Sequence, residues 1–147
     1  MTHASIATAE TLQQVGTALD QAEADYKESL RYSVKAQQRA YRLLREAKQV
    51  YFVTARAPWL ASIRKLEAAA SQNDDDRLLA RLLKAWDQAV KYRKNLPSTA
   101  SVRQYIDAEL EEARAEGMYF IVRSRWDARR DQQQEARRKA NARKKRK

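Results

Sequence analysis

Two glycines and two prolines in a chain of 147 residues leave few positions at which a helix has to stop. Ala, Leu, Gln, Glu, Lys and Arg, all good helix formers, dominate the remainder. Long helices follow, and the expected fold is all-α: an elongated helical bundle with a long N-terminal helix and a basic C-terminal tail. A hydrophobic content of 44% supports one core. Residues 1–128 are expected to form a single α-helical domain, and 129–147 a basic tail that is helical or disordered until bound.

Thr8, followed by Ala9 and Glu10, suits a helix start, and behind it Leu12, Val15, Leu19, Ala22 and Tyr26 recur in steps of three and four. That is a heptad seam. The pattern steps by four to Leu30 and by four again to Val34, a stutter that relaxes supercoiling without ending a helix. One helix over 8–55 would be about 70 Å long at a rise of 1.5 Å per residue. A rod of that length cannot bury its apolar stripe unaided, so later helices or other chains must cover it.

Basic residues gather along the same rod. Arg31, Lys35, Arg39, Arg42 and Arg45 are spaced by four, four, three and three, which on a helix confines them to a stripe of roughly 120°. Leu30, Val34, Tyr41 and Leu44 fall on the other side. The net charge of +11 is concentrated in two blocks: residues 31–65 carry +8 and 129–147 carry +8, whereas 1–30 carry −4 and 66–128 carry −1. Such a distribution points to a polyanion.

Pro58 removes a backbone donor and is expected to kink or break the chain, with a new helix starting in its vicinity. Asp74, Asp75 and Asp76 suit the N-terminus of the next helix better than a metal site, because consecutive helical side chains diverge by about 100°. Leu78, Leu79, Leu82, Leu83, Trp86, Ala89 and Val90 give the strongest apolar face, so a core helix is expected over 77–94. Ser101 and Gln104 match a capping box that opens another helix. After Gly117, the spacing of Met118, Ile121, Val122 and Trp126 favours helix over strand.

The sequence offers little material for catalysis. Cysteine is absent, and the one histidine, His3, lies in a terminal stretch without partners for a triad or a ligand set. Gly16 and Gly117, the only glycines, lie too far apart to compose a phosphate-binding loop or a dinucleotide fingerprint. Glu109, Glu112 and Glu116 share a helix face with Arg103, Glu111 and Arg114 nearby, which describes a solvated charged surface. Neither enzyme activity nor a cofactor nor a metal is expected. A helix-turn-helix drawn over Leu60 to Val90 would place three aspartates against phosphates, where they repel.

No run approaches the roughly 20 apolar residues of a membrane span, and Met1 to Ala9 has neither the basic start nor the apolar centre of a signal peptide. A cytoplasmic protein is expected, with neither a membrane nor a small-molecule substrate as partner.

The expected contacts are therefore to nucleic-acid backbone, RNA or DNA, through Arg31, Lys35, Arg39, Arg42 and Arg45 and, from the tail, Arg137, Arg138, Lys139, Arg143 and Lys144. Other protein subunits or copies of the chain itself would cover the seam. In size and charge the chain resembles the small helical subunits of CRISPR effector complexes. A long helix with a heptad start and a basic tail also resembles phage packaging or internal virion proteins. A coiled-coil adaptor for an acidic protein is the alternative from another class.

Overall fold

The computed structural model describes residues 3–70 and 76–146, and the side chains among them except those of 3–9, 67, 69 and 70. Four helices follow one another among the described residues: α1 (His3–Ser29), α2 (Val34–Ala70), α3 (Asp76–Lys94) and α4 (Val102–Lys145). The fold is an all-α bundle, made of two antiparallel hairpins, α1–α2 and α3–α4, joined along α4.

The expected continuous helix over 8–55 is not formed. Leu30 to Ser33 leave the helical path, and the chain turns back there. The turn is closed locally: the Ser33 hydroxyl accepts from the Ala36 N–H at 3.3 Å, as an N-cap does. The Gln37 side chain donates to the Tyr32 carbonyl at 3.2 Å. The cause is apolar cover. Folding back lays the seam of α1 against α2, where Leu19, Leu44 and Tyr51 form the buried core with Leu12, Val15, Ala22, Tyr26, Ala47 and Ala55 around it. Burying a Leu or Tyr side chain is worth about 1.5–3 kcal/mol, far more than one turn costs in lost helical bonds. The stutter at Leu30 and Val34 is thus a hairpin.

Pro58 produces no break either, since it lies inside the 37 residues of α2. Its missing N–H removes one bond from a helix that α1 and α4 hold on both sides, and packing outweighs propensity here. Asp76 opens α3, while the expected capping role of Asp74 and Asp75 falls outside the described residues.

The start of α4 is spelled as expected. Ser101 accepts from the Gln104 N–H at 3.2 Å, and the Gln104 side chain accepts from the Ser101 N–H at 2.9 Å. Glu23 of α1, itself buried, adds a third partner by accepting from the Val102 N–H at 3.0 Å. Deeper in the bundle, Tyr51 of α2 donates to Asp107, and the Arg103 guanidinium lies 5.7 Å from the Tyr51 ring centre. Burial first, and then the bond to Asp107, raises the Tyr51 pKa above its ordinary 10.0. These contacts place α2 and α4 side by side and parallel, with Ile63 further along beside Gly117.

Helix α3 covers the opposite side of α4. Trp86 packs on Tyr119 and Phe120 with ring centres 5.5 Å away in each case. Arg93 pairs with Glu112, and the Trp126 indole donates to Asp76 at 2.7 Å. Only Ala89 of α3 is buried, because α4 is its sole packing partner among the described residues. Among the described residues, helix α3 makes no packing contact with α2, so the two are not packed as the helix-turn-helix over Leu60 to Val90 requires.

The longest element lies at the C-terminus: α4 has 44 residues against 27 in α1. It passes through Gly117 and the 118–122 run as helix and continues to Lys145. Every residue over 131–146 is exposed. The basic tail is therefore the projecting end of α4.

Candidate nucleic-acid interface

Lys35, Arg39, Arg42 and Arg45 stand on the exposed surface of α2 in steps of four, three and three. Each step returns to the same side of the helix, so the four charges form one row. Among the described residues, no carboxylate pairs with any of the four. Three acids of the neighbouring helix are already engaged: Asp20 meets Arg103 at 3.3 Å, Glu23 meets Lys27 at 3.2 Å, and Glu28 meets Arg31 at 3.8 Å. The cations of this row are left facing solvent, and Glu10, Asp25 and Glu46 of the same hairpin likewise stand outside any ion pair among the described residues.

Arg31 departs from the expected stripe. It lies in the turn between α1 and α2, where its hydrogen-bonding follows the end of α1. A continuous helix would have aligned it with Lys35, and the hairpin does not.

Arg137, Arg138, Lys139, Arg143 and Lys144 lie on the projecting end of α4. At 100° per residue their directions spread around the whole helix, so they clothe a cylinder with charge on all sides. Of these, Lys139 is held by Glu135 at 3.0 Å.

The two basic regions are not brought together. With Tyr51 level with Asp107, Lys35 lies 16 residues to one side of that level and Arg137 lies 30 to the other. On parallel helices this separates them by about 70 Å along the axis. One short ligand cannot bridge the gap.

Between these regions the structure adds a feature that charge counting missed. Trp126 is bracketed by Arg123 at 5.3 Å and Arg130 at 5.2 Å from its ring, where α4 leaves the bundle. Arg129, Arg130 and Gln133 line a shallow depression of about 330 Å³ beside Asp76 and Trp126. The signal lies in the spacing: Arg123 and Arg130 stand three before and four after Trp126, which puts all three on one helix face. Among the other aromatics, Tyr32 and Tyr92 are open to solvent, whereas Tyr41 packs on Tyr26 with ring centres 5.9 Å apart.

No cluster of carboxylates or histidine suited to a metal occurs among the described residues, and no described helix is long and apolar enough to cross a membrane. The class this geometry defines is an all-α bundle with an unpaired cationic row and a projecting cationic helix. No family model, no curated protein and no solved structure matches the chain.

Proposed function

We propose that the chain is a non-enzymatic small helical subunit of a larger nucleoprotein assembly, holding nucleic-acid backbone without base specificity. The observation that carries this is the row Lys35, Arg39, Arg42 and Arg45, four exposed cations with no ion pair among the described residues, while Asp20, Glu23 and Glu28 of the neighbouring helix are engaged with other cations. Unpaired cations in a row match a string of phosphates, and each phosphate neutralised releases condensed counterions. Exposed backbone-binding cations read charge spacing and not base edges, so discrimination among sequences is weak. The end of α4 provides a second, remote contact to the same polymer.

Binding of fluorescent single-stranded RNA, single-stranded DNA and duplex DNA across a salt series tests the proposal. Affinity falls as salt rises, with a slope near −0.9 per neutralised phosphate on duplex DNA and near −0.7 on single strands. Reversing Lys35, Arg39, Arg42 and Arg45 to glutamate removes about four contacts from that slope while the helical circular dichroism is retained. If no polymer binds at moderate ionic strength, nucleic acid is not the partner. Capture of an acidic protein in its place would favour the adaptor alternative.

A further inference from the structure

Helix α2 carries a second apolar seam that nothing among the described residues covers. Leu43, Glu46, Val50, Val53, Ala57 and Leu60 recur in steps of three and four, the spacing of a heptad seam, and all six are exposed. Leu43 is 55% exposed, Val50 52% and Val53 57%, on the side of α2 away from the buried Leu44 and Tyr51. The shortage of cover extends to the whole molecule. A compact 17.1 kDa protein exposes about 7,700 Å², whereas this chain exposes 11400 Å². A stable protein interface takes only about 800 Å² from each partner.

We propose that the outer face of α2 seats a second copy of this chain, packed antiparallel about a twofold axis between Val50 and Val53. That register matches the seam with itself. Leu43 meets Leu60 of the second copy, Val50 meets its Val53, and Glu46 meets its Ala57, the smallest residue of the six. Glu46 is the one carboxylate on this face and has no ion pair among the described residues. Opposite Ala57 it lies next to Arg56 of the second copy, which supplies the missing charge. A parallel pairing would set Arg39, Arg42 and Arg45 of the two copies side by side. The antiparallel one puts the two Arg42 residues about 30 Å apart along the axis, several Debye lengths at physiological salt, and leaves one like-charge meeting at each end of the seam, Arg39 with Arg64 of the second copy, both exposed to solvent.

The contact specifies the assembly partner in the proposed function, yet it uses different residues from the cationic row and is measured without nucleic acid. In high salt, the wild type sediments at twice 17.1 kDa. Val50→Glu combined with Val53→Glu sediments at the single mass with its helical signal retained. The absence of cysteine allows the register to be read directly. Mixed Leu43→Cys and Leu60→Cys proteins form a disulfide-linked heterodimer on oxidation, whereas each alone cross-links poorly, its two copies of the cysteine being about 25 Å apart. A wild type that stays at the single mass through about 100 µM, or a dimer unaffected by the glutamates, overturns the proposal. So does strong self-linking of Leu43→Cys, which requires a parallel pair. Should the glutamate variant lose helicity, the cysteine pair decides alone.

Discussion

Glu23 of α1 accepts a hydrogen bond from the Val102 N–H of α4 across 3.0 Å, although 79 residues separate the two in the chain. Val102 is the first residue of α4, where N–H groups lack helical partners and the helix dipole favours a negative charge. The same carboxylate meets Lys27 at 3.2 Å. One buried side chain therefore ties the start of the second hairpin to the first.

Replacing Glu23 by alanine leaves the Val102 N–H without its acceptor in a part-buried place. Bonds to charged groups are worth about 1.5–3 kcal/mol, so Glu23→Ala loses that much stability, and Glu23→Gln, which keeps an acceptor, loses less. Urea unfolding checks this: the midpoint falls in that order, while an unchanged m-value indicates that the same surface is exposed on unfolding.

Tyr51 makes stability depend on alkaline pH. Its pKa is raised above 10.0 by burial and by its bond to Asp107, with Arg103 acting in the opposite direction. The folded state thus holds the phenolic proton more tightly than the unfolded state. The stabilisation is fully present below the unfolded pKa of about 10 and is lost as pH rises through the higher folded value. Unfolding free energies measured from about pH 8 to pH 11.5 decline at the alkaline end, and Tyr51→Phe removes the part of that decline due to this group. An identical decline in the variant would assign it elsewhere.

Local chemistry was the part of this fold that the sequence made legible. Ser101 and Gln104 form the capping box their spacing spells, because both partners lie within one helical turn. The seam from Leu12 to Tyr26 was legible too, but not what covers it. Whether a chain turns at Leu30 depends on the burial available 21 residues later, at Tyr51, and no local pattern reports that. The same turn separates Arg31 from Lys35, so an error in one loop misplaced one site residue and left the other four of the stripe in line. On α2, buried Leu44 and Tyr51 alternate with exposed Leu43 and Val50. Their mixture reads as one broad apolar side until the inner seam is occupied.

Gly16 gives room to Arg103. A Cβ at position 16 would lie 2.6 Å from the Arg103 Cζ, and that guanidinium reaches Asp20 at 3.3 Å and stands over Tyr51. Alanine improves helix propensity by about 1 kcal/mol, but here it pushes the guanidinium off both contacts. Gly16→Ala is therefore nearly neutral in the wild type and stabilises by about 1 kcal/mol when Arg103 is already alanine. A double-mutant cycle measures the difference, and a coupling close to zero would show that Arg103 finds an equally good position elsewhere.

The projecting end of α4 contributes nothing to the stability of the bundle. Residues 131–146 are all exposed, and Glu135 with Lys139 is their one ion pair between described residues that closes a helical turn. An exposed i,i+4 pair supplies about 0.3–0.5 kcal/mol. Against it, Lys139 and Arg143 are like charges four apart on the same face, a repulsion of similar size. Ending the chain after Arg130 therefore leaves the unfolding midpoint within about 0.5 kcal/mol of the full chain, while the helical circular dichroism falls by the share of the residues removed. In the full chain, a polyanion that neutralises Arg137, Arg138, Arg143 and Lys144 relieves that repulsion and slows amide exchange at 131–145. Protection that rises over the Lys35 to Arg45 row and not over the end of α4 would assign phosphate contact to α2 alone.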